Sequence, residues 1–337
     1  MQRLLFVKSR RASFIELDQR LLAERYELHE IYQPGRFGDP RIVIREVLKA
    51  DVVVGWWASW HTLLPITLAW LLRKPSLLIV GGFDTAAEPE YGYGYQLGGV
   101  RARMSQFIMR HAGILMTNSE YSREEIWRNT GIPREQVRVV YHGIPEAETA
   151  GGPLAARFRG DPERPIALTV GIVDRTNLDR KGLRAFVRAA ELVPEVNFVV
   201  AGKIVGDAGA ELERIATDNV RLTGWLEDEQ LESLLTHARV YVQASKHEGF
   251  GVSVAEAMLA GCVPVTTRAG ALPEVVGDTG VLLDDSDPRT VALGVREALH
   301  LGTAEVARRR VRERFSVEQR RDGLLALLDE LLSGSAS

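Results

Sequence analysis

The sequence predicts an α/β protein built from two doubly wound parallel sheets. Three observations carry that expectation. Residues 1–145 alternate short apolar, β-branched runs with helical patterns, the order that a parallel sheet with crossover helices requires. A segment rich in Gly, Ala, Pro and Arg, Glu146–Pro165, interrupts the alternation and reads as a linker. A second alternation of the same kind starts at Ile166, and 337 residues leave room for two cores.

In the first half, Leu4–Val7, Asp51–Val54, Leu77–Val80, Ile114–Thr117 and Val137–Tyr141 read as strands, with an amphipathic helix over Phe14–Arg25. The third of these strands ends at Gly81-Gly82-Phe83-Asp84, and the following Tyr91-Gly-Tyr-Gly-Tyr95-Gln-Leu-Gly-Gly99 fits neither regular element. A mobile aromatic loop at a strand end commonly touches a ligand; equally, its tyrosines can pack down on the surface. Helical spacing over Val100–Arg110 puts Val100, Met104, Phe107 and Ile108 on one face, with Arg101, Arg103 and Arg110 around it. That pattern suits packing over a sheet and also suits contact with anionic lipid. Ser122-Arg-Glu-Glu125 reads as a capping box, and its helix ends near Gly131-Ile-Pro133.

In the second half the expected strands are Ile166–Val170, Asn197–Ala201, Val220–Leu222, Val240–Gln243, Val263–Thr266 and Val281–Leu283. Ser316-Val-Glu-Gln319 is a second capping box, and Leu324, Leu325, Leu327, Leu328, Leu331 and Leu332 give the final helix a broad apolar face. The expected divisions are 1–147, 148–312 and a terminal helix over 313–333 that crosses back to the first domain.

Chemistry concentrates where the strand ending at Ala244 meets Ser245-Lys-His-Glu248-Gly249-Phe250-Gly251 and a helix starting at Val252. The glycines permit a tight turn, and the first amides of the helix lack intrahelical partners, so the turn is a cradle for phosphate. Glu248 stands before the cradle and Glu256 about one turn inside the helix, placed for hydroxyls on either side of a diphosphate. Earlier, Gly171 ends a strand, and Asp174-Arg175-Thr-Asn-Leu-Asp-Arg180-Lys181-Gly182 leads into a helix. In a chain with few lysines, Lys181 is a point charge suited to a diphosphate leaving group. Taken alone, E-G-x-G with two solvated glutamates, or a basic turn before a helix, would be unremarkable surface.

The motif extends, however, through Glu248-Gly-Phe-Gly251, Glu256-Ala-Met258 and Gly261-Cys-Val-Pro-Val265 to Gly270-Ala-Leu-Pro-Glu274-Val-Val-Gly-Asp278. This run resembles the signature half-site of retaining GT-B glycosyltransferases of glycosyltransferase family 4, tightly over about 166–285 and more loosely before. The resemblance implies a GT-B fold, two Rossmann-like doubly wound domains facing a cleft, with the first binding the acceptor and the second the donor. It implies transfer from a nucleoside diphosphate sugar, such as a UDP- or GDP-sugar, to a hydroxyl acceptor with retention. Glu248 and Lys181 then count as catalytic. Gly171, Arg175, Lys181, Trp225, Leu226, Glu248, Gly249, Phe250, Gly251, Val252 and Glu256 hold the nucleotide sugar. Relatives usually carry an Arg after the glycine at 171; Ile172 stands there, and Arg175 is the expected substitute. His61 and Asp84 compete for the place facing the anomeric carbon. The glycine pair that many relatives carry after the first strand is replaced by Lys8-Ser9-Arg10-Arg11. A sugar-nucleotide epimerase of the same fold and a nucleotide-sugar-binding subunit without turnover are the alternative readings.

Composition narrows the partners. A formal charge of −3 gives no global argument for nucleic acid. No apolar run reaches a membrane span and Met1–Val7 is too short for a signal peptide, so the expectation is cytoplasmic, with peripheral contact at the inner membrane face open. One cysteine, Cys262, excludes an internal disulfide. Asp284-Asp-Ser-Asp287 contains a D-x-D, but Asp287 before Pro288 reads as a helix cap, and no metal is expected.

Overall fold

The computed structural model describes residues 1–35, 38–146, 158 and 160–334. Most of the expected linker, residues 147–157 and 159, lies outside the described residues. The chain divides into two units, Met1–Gly143 with Phe315–Ser337, and Ile144–Arg314.

In the first unit β1 (Arg3–Lys8), β2 (Glu27–Tyr32), β3 (Val52–Trp56), β4 (Ser76–Val80), β5 (Ile114–Thr117) and β6 (Val137–Val139) form a parallel sheet ordered β2-β1-β3-β4-β5-β6. β1, β3, β4 and β5 are apolar runs because both faces of a parallel sheet are covered by helices. β2 is the departure. As an edge strand it buries only Ile31, so its sequence Glu-Leu-His-Glu-Ile-Tyr carries no apolar run to read. The helix Pro40–Lys49 follows it; Asp39 caps that helix by accepting from the Arg41 amide at 2.9 Å, with Pro40 at the first helical position. The helix expected to open at Ser122 instead spans Glu120–Thr130, because Ser119 is the cap and accepts from the Ser122 amide at 3.0 Å. Ser122 is buried inside the first turn.

The terminal helix Val317–Gly334 belongs to this unit. Gln319 N donates to Ser316 Oγ at 3.2 Å and Ser316 N to Gln319 Oε1 at 3.4 Å, closing the capping box. Leu324, Leu327 and Leu328 pack with Leu4, Phe6 and Leu77. Arg320 fixes the register of that contact. Its Nε and Nη2 donate to the two oxygens of Asp18 at 2.8 and 2.7 Å, with both side chains shut away from solvent.

The second unit repeats the plan with β7 (Ile166–Val170), β8 (Asn197–Ala201), β9 (Val220–Gly224), β10 (Val240–Gln243), β11 (Val263–Thr267) and β12 (Val281–Leu283), ordered β12-β11-β10-β7-β8-β9. Strand order reverses at β1/β3 in one sheet and at β7/β10 in the other. In open α/β sheets, ligands bind beyond the carboxyl ends of the strands at such reversals.

Candidate active site

The reversal in the second unit brings together two turns: the one after β7, from Gly171 to Gly182, and the one after β10, from Ala244 to Gly251. Backbone contacts leave no room for side chains where they meet. Gly182 has φ +68°, and a Cβ there would lie 2.2 Å from the Ala244 carbonyl oxygen. The Lys246 amide donates to the Arg180 carbonyl at 2.7 Å, and the Ala271 amide to the Glu248 carbonyl at 2.9 Å. Gly270, at φ +62°, would put a Cβ 2.1 Å from that same carbonyl.

On this frame Lys181 Nζ sits 3.2 Å from Glu248 Oε1, with only 19% and 14% of the two side chains exposed. Glu248 Oε1 also accepts from Gln243 Nε2 and from the Ser245 hydroxyl, each at 3.0 Å. Tyr241 donates to Gln243 Oε1 at 3.1 Å and accepts from the Val170 amide at 3.3 Å. Burial works to raise the Glu248 pKa, but the charges of Lys181 and Arg180 and the Ser245 hydroxyl outweigh it and hold the carboxyl below its usual range. Tyr241, Gln243 and Ser245 were not among the expected site residues. The available signal was a pair of polar side chains at alternate positions of an apolar strand, which points both to one face.

Gly251, at φ +100°, begins the helix Val252–Ala260. The amides of Val254 and Ala255 bond back to the Gly251 carbonyl at 3.0 and 3.2 Å, so those of Val252 and Ser253 precede the first intrahelical bonds and stand at the positive end of the helix. Glu256, on the same helix, is pushed up to about 7 by burial, with the Asp228 charge adding to it. A carboxyl in that state accepts hydrogen bonds readily once ionised and is not yet committed to a cation. Phe250 is buried beneath the turn.

The remaining expected residues part company. The Gly171 amide donates to Ala201 O at 2.9 Å, and Lys181 packs where a Gly171 side chain would be. Leu226 is buried, whereas Trp225 is 65% exposed. Arg175, the first residue of the short helix Arg175–Arg180, is held in an exposed ion pair with Asp207. The buried guanidinium here is that of Arg180, which donates to the His247 carbonyl at 3.2 Å and to Asn177 Oδ1 at 2.7 Å.

In the first unit, His61 and Asp84 are both buried. His61 Nε2 lies 2.7 Å from the Trp56 carbonyl, which fixes its proton on that nitrogen, and burial lowers its pKa to about 4. Asp84 accepts from the amides of Ala58 at 2.8 Å and Gly81 at 2.9 Å, so it ties two strand-end loops together. The tyrosine loop is pinned as well. Tyr93 and Tyr95 set their rings 5.0 and 4.9 Å from Phe83, and the Tyr95 hydroxyl lies 2.8 Å from Ser59 Oγ.

Two family models match the chain, glycosyltransferase family 4 over residues 20–148 and glycosyl transferases group 1 over residues 164–301. O-antigen chain mannosyltransferase B of Escherichia coli is 28% identical over 202 residues, covering 56% of this chain and 52% of that protein. Alpha-maltose-1-phosphate synthase of Mycobacterium tuberculosis is 29% identical over 303 residues, 77% of this chain and 75% of that one. Anabaena HepE, solved in complex with UDP and glucose, superposes with a TM-score of 0.74 at 17% identity over 98% of this chain and 100% of that one, and so shows the fold. The chain spans about half the length of the first curated relative.

Proposed function

From the premise that the chain belongs to glycosyltransferase family 4, the two models together matching most of both units, we propose that it transfers a sugar from a nucleoside diphosphate sugar to a hydroxyl acceptor with retention at the anomeric carbon. The observation that carries this reading is the buried Lys181–Glu248 pair beside the Gly249–Gly251 turn. A diphosphate seated on the amides of Val252 and Ser253 brings negative charge next to the Lys181 ammonium. Charge that builds on the departing phosphate is then met by groups already in place. Glu248, whose Oε1 already accepts from three donors, keeps Oε2 for the donor sugar. Glu256 accepts from hydroxyls on the nucleoside side.

Among the described residues no carboxylate is assigned as a covalent nucleophile, and in this reading the departing phosphate itself takes the acceptor's proton on the same face. No divalent metal is required by this arrangement. Asp287, the end of the D-x-D, is used as the cap of Pro288–His300 and accepts from the Arg289 amide at 2.9 Å. A UDP- or GDP-sugar is the donor class, and HepE was solved with UDP. We place the reaction in the cytoplasm, against the inner membrane face. The helix Gly99–His111 supports this: it buries Met104 and Ile108, exposes Val100, Arg101, Arg103 and Arg110, and contains no acidic residue.

The test is incubation with UDP- and GDP-sugars and an acceptor panel, following nucleoside diphosphate release and the anomeric configuration of the product by NMR. Product of inverted configuration, epimerised donor, or binding without any turnover would overturn the reading.

A further inference from the structure

The reversal point of the first sheet lies between the carboxyl ends of β1 and β3. Lys8-Ser9-Arg10-Arg11 follows β1. Lys8 is buried and committed, donating to Gln19 Oε1 at 2.5 Å with Glu30 at 3.2 Å. The two arginines are different. Both are exposed, and among the described residues neither meets a carboxylate within ion-pair distance. Each guanidinium lies instead against a ring, Arg10 at 4.8 Å from the centre of Trp57 and Arg11 at 5.6 Å from that of Tyr32.

Trp57 sits at φ +65°, a backbone state that costs a non-glycine residue free energy and persists only where neighbours enforce it. Here they do. The Trp57 amide donates to the Ile79 carbonyl at 2.7 Å, and its carbonyl accepts from the Thr62 hydroxyl at 2.6 Å. These bonds hold the Trp57 backbone, its ring packs against those of Phe14 and Trp56 with centroids 6.4 and 5.7 Å away, and a guanidinium over such a ring can still offer N–H donors to an anion. Two such forks on adjacent residues, without acidic partners, match the oxygens of a phosphate or carboxylate.

We propose that Arg10 and Arg11 form an anion-binding site that selects an acceptor carrying a phosphate group. That the anion belongs to the acceptor rests on the transferase reading; that the site takes an anion does not. A free sugar phosphate and a phospholipid headgroup share the required chemistry, and the experiment separates them.

Glucose, glucose 1-phosphate, UDP and GDP are titrated calorimetrically into the intact protein and into an Arg10→Ala/Arg11→Ala double variant. In parallel, both are sedimented with vesicles of phosphatidylcholine alone and of phosphatidylcholine with phosphatidylglycerol. The expected result is binding of glucose 1-phosphate but not glucose, weakened roughly tenfold or more in the variant, or vesicle binding that needs phosphatidylglycerol and is weakened in the variant, which keeps Arg101, Arg103 and Arg110. The first outcome identifies a soluble acceptor and the second a lipid one. Equal binding of glucose and its phosphate, or anion binding indifferent to the substitutions, overturns the proposal. A fall in UDP or GDP affinity in the variant also overturns it, because the arginines would then serve the donor. If the protein binds no nucleotide but shows arginine-dependent anion binding, the transferase reading fails and the anion site stands.

Discussion

Lys181 Nζ and Glu248 Oε1 stand 3.2 Å apart at the junction of two strand-end turns, in a position where neither charge is well hydrated. A pair so placed is coupled: removing one partner leaves the other desolvated and alone. Lys181→Met should lower stability by roughly 2–3 kcal/mol, and adding Glu248→Gln to it should restore part of the loss. Urea denaturation of the two single variants and the double reads this directly. Strict additivity would show that the pair is not coupled. The pH dependence has a definite sign. The Glu248 pKa is lowered in the folded protein, so its contribution is present above the ordinary carboxylate range and fades as pH falls through the folded value. Without Lys181 that fading should begin at higher pH.

Glu256 should behave in the opposite sense. Its folded pKa lies at about 7, above the unfolded value, so the ionised carboxyl weighs against folding increasingly as pH rises through that window. Glu256→Gln removes the titration, and the variant should gain stability relative to the parent between pH 5 and pH 8. Nucleotide binding reports the same group. If hydroxyls of the nucleoside donate to the carboxylate, UDP or GDP affinity in the parent should strengthen through pH 7, and the Gln variant should lose that step together with roughly 1.5–3 kcal/mol of binding. Calorimetry with both nucleotides at three pH values checks it. Unchanged affinity in the variant would remove Glu256 from the donor site.

Arg320 and Asp18 hold the terminal helix to the first sheet from positions 302 residues apart. Arg320 also donates to Asn118 Oδ1 at 3.1 Å and to the Val140 carbonyl at 2.6 Å, and the Trp56 indole donates to Asp18 Oδ2 at 3.1 Å. Asp18→Ala leaves a buried guanidinium with part of its fork unmet and should cost roughly 3–5 kcal/mol. Thermal unfolding and proteolysis near residue 315 should both register it. Full stability with a protease-resistant terminal helix would contradict the assignment.

Much of this architecture was legible because parallel strands advertise themselves. Ile166–Val170, Asn197–Ala201, Val240–Gln243 and Val281–Leu283 have the expected bounds, since each is an apolar run stopped by a glycine or polar turn. The edge strand β2 was not legible, because one side of it faces solvent. The two basic turns show the limit for side chains. The sequence marked Lys181 as a charge for a diphosphate, yet it did not place it 3.2 Å from Glu248, nor could it say that Arg175 would be drawn to Asp207 while Arg180 went inside. Which way a side chain leaves a short helix is set by partners distant in sequence, and Arg320 with Asp18 makes the same point across nearly the whole chain.

Asp84 supplies the last case, because its surroundings argue for a positioning role and not for contact with substrate. Its oxygens accept from the Ala58 and Gly81 amides, joining the loop after β3 to the loop after β4. Burial nevertheless lifts its pKa to about 7, against the effect of those amides. The folded value exceeds the unfolded one, so the carboxylate weighs on stability as pH rises from about 4 towards 7. Asp84→Asn keeps the shape and loses the titration. It should cost roughly 1–3 kcal/mol at pH 5, where its amide group faces a backbone N–H, and the difference from the parent should narrow by pH 8. Asp84→Ala, which abandons both amides, should be worse at either pH. Denaturation at the two pH values, run beside nucleoside diphosphate release, separates the roles. A positioning residue loses activity in step with stability, whereas loss of turnover in a fully stable Asn variant would return Asp84 to the reacting centre.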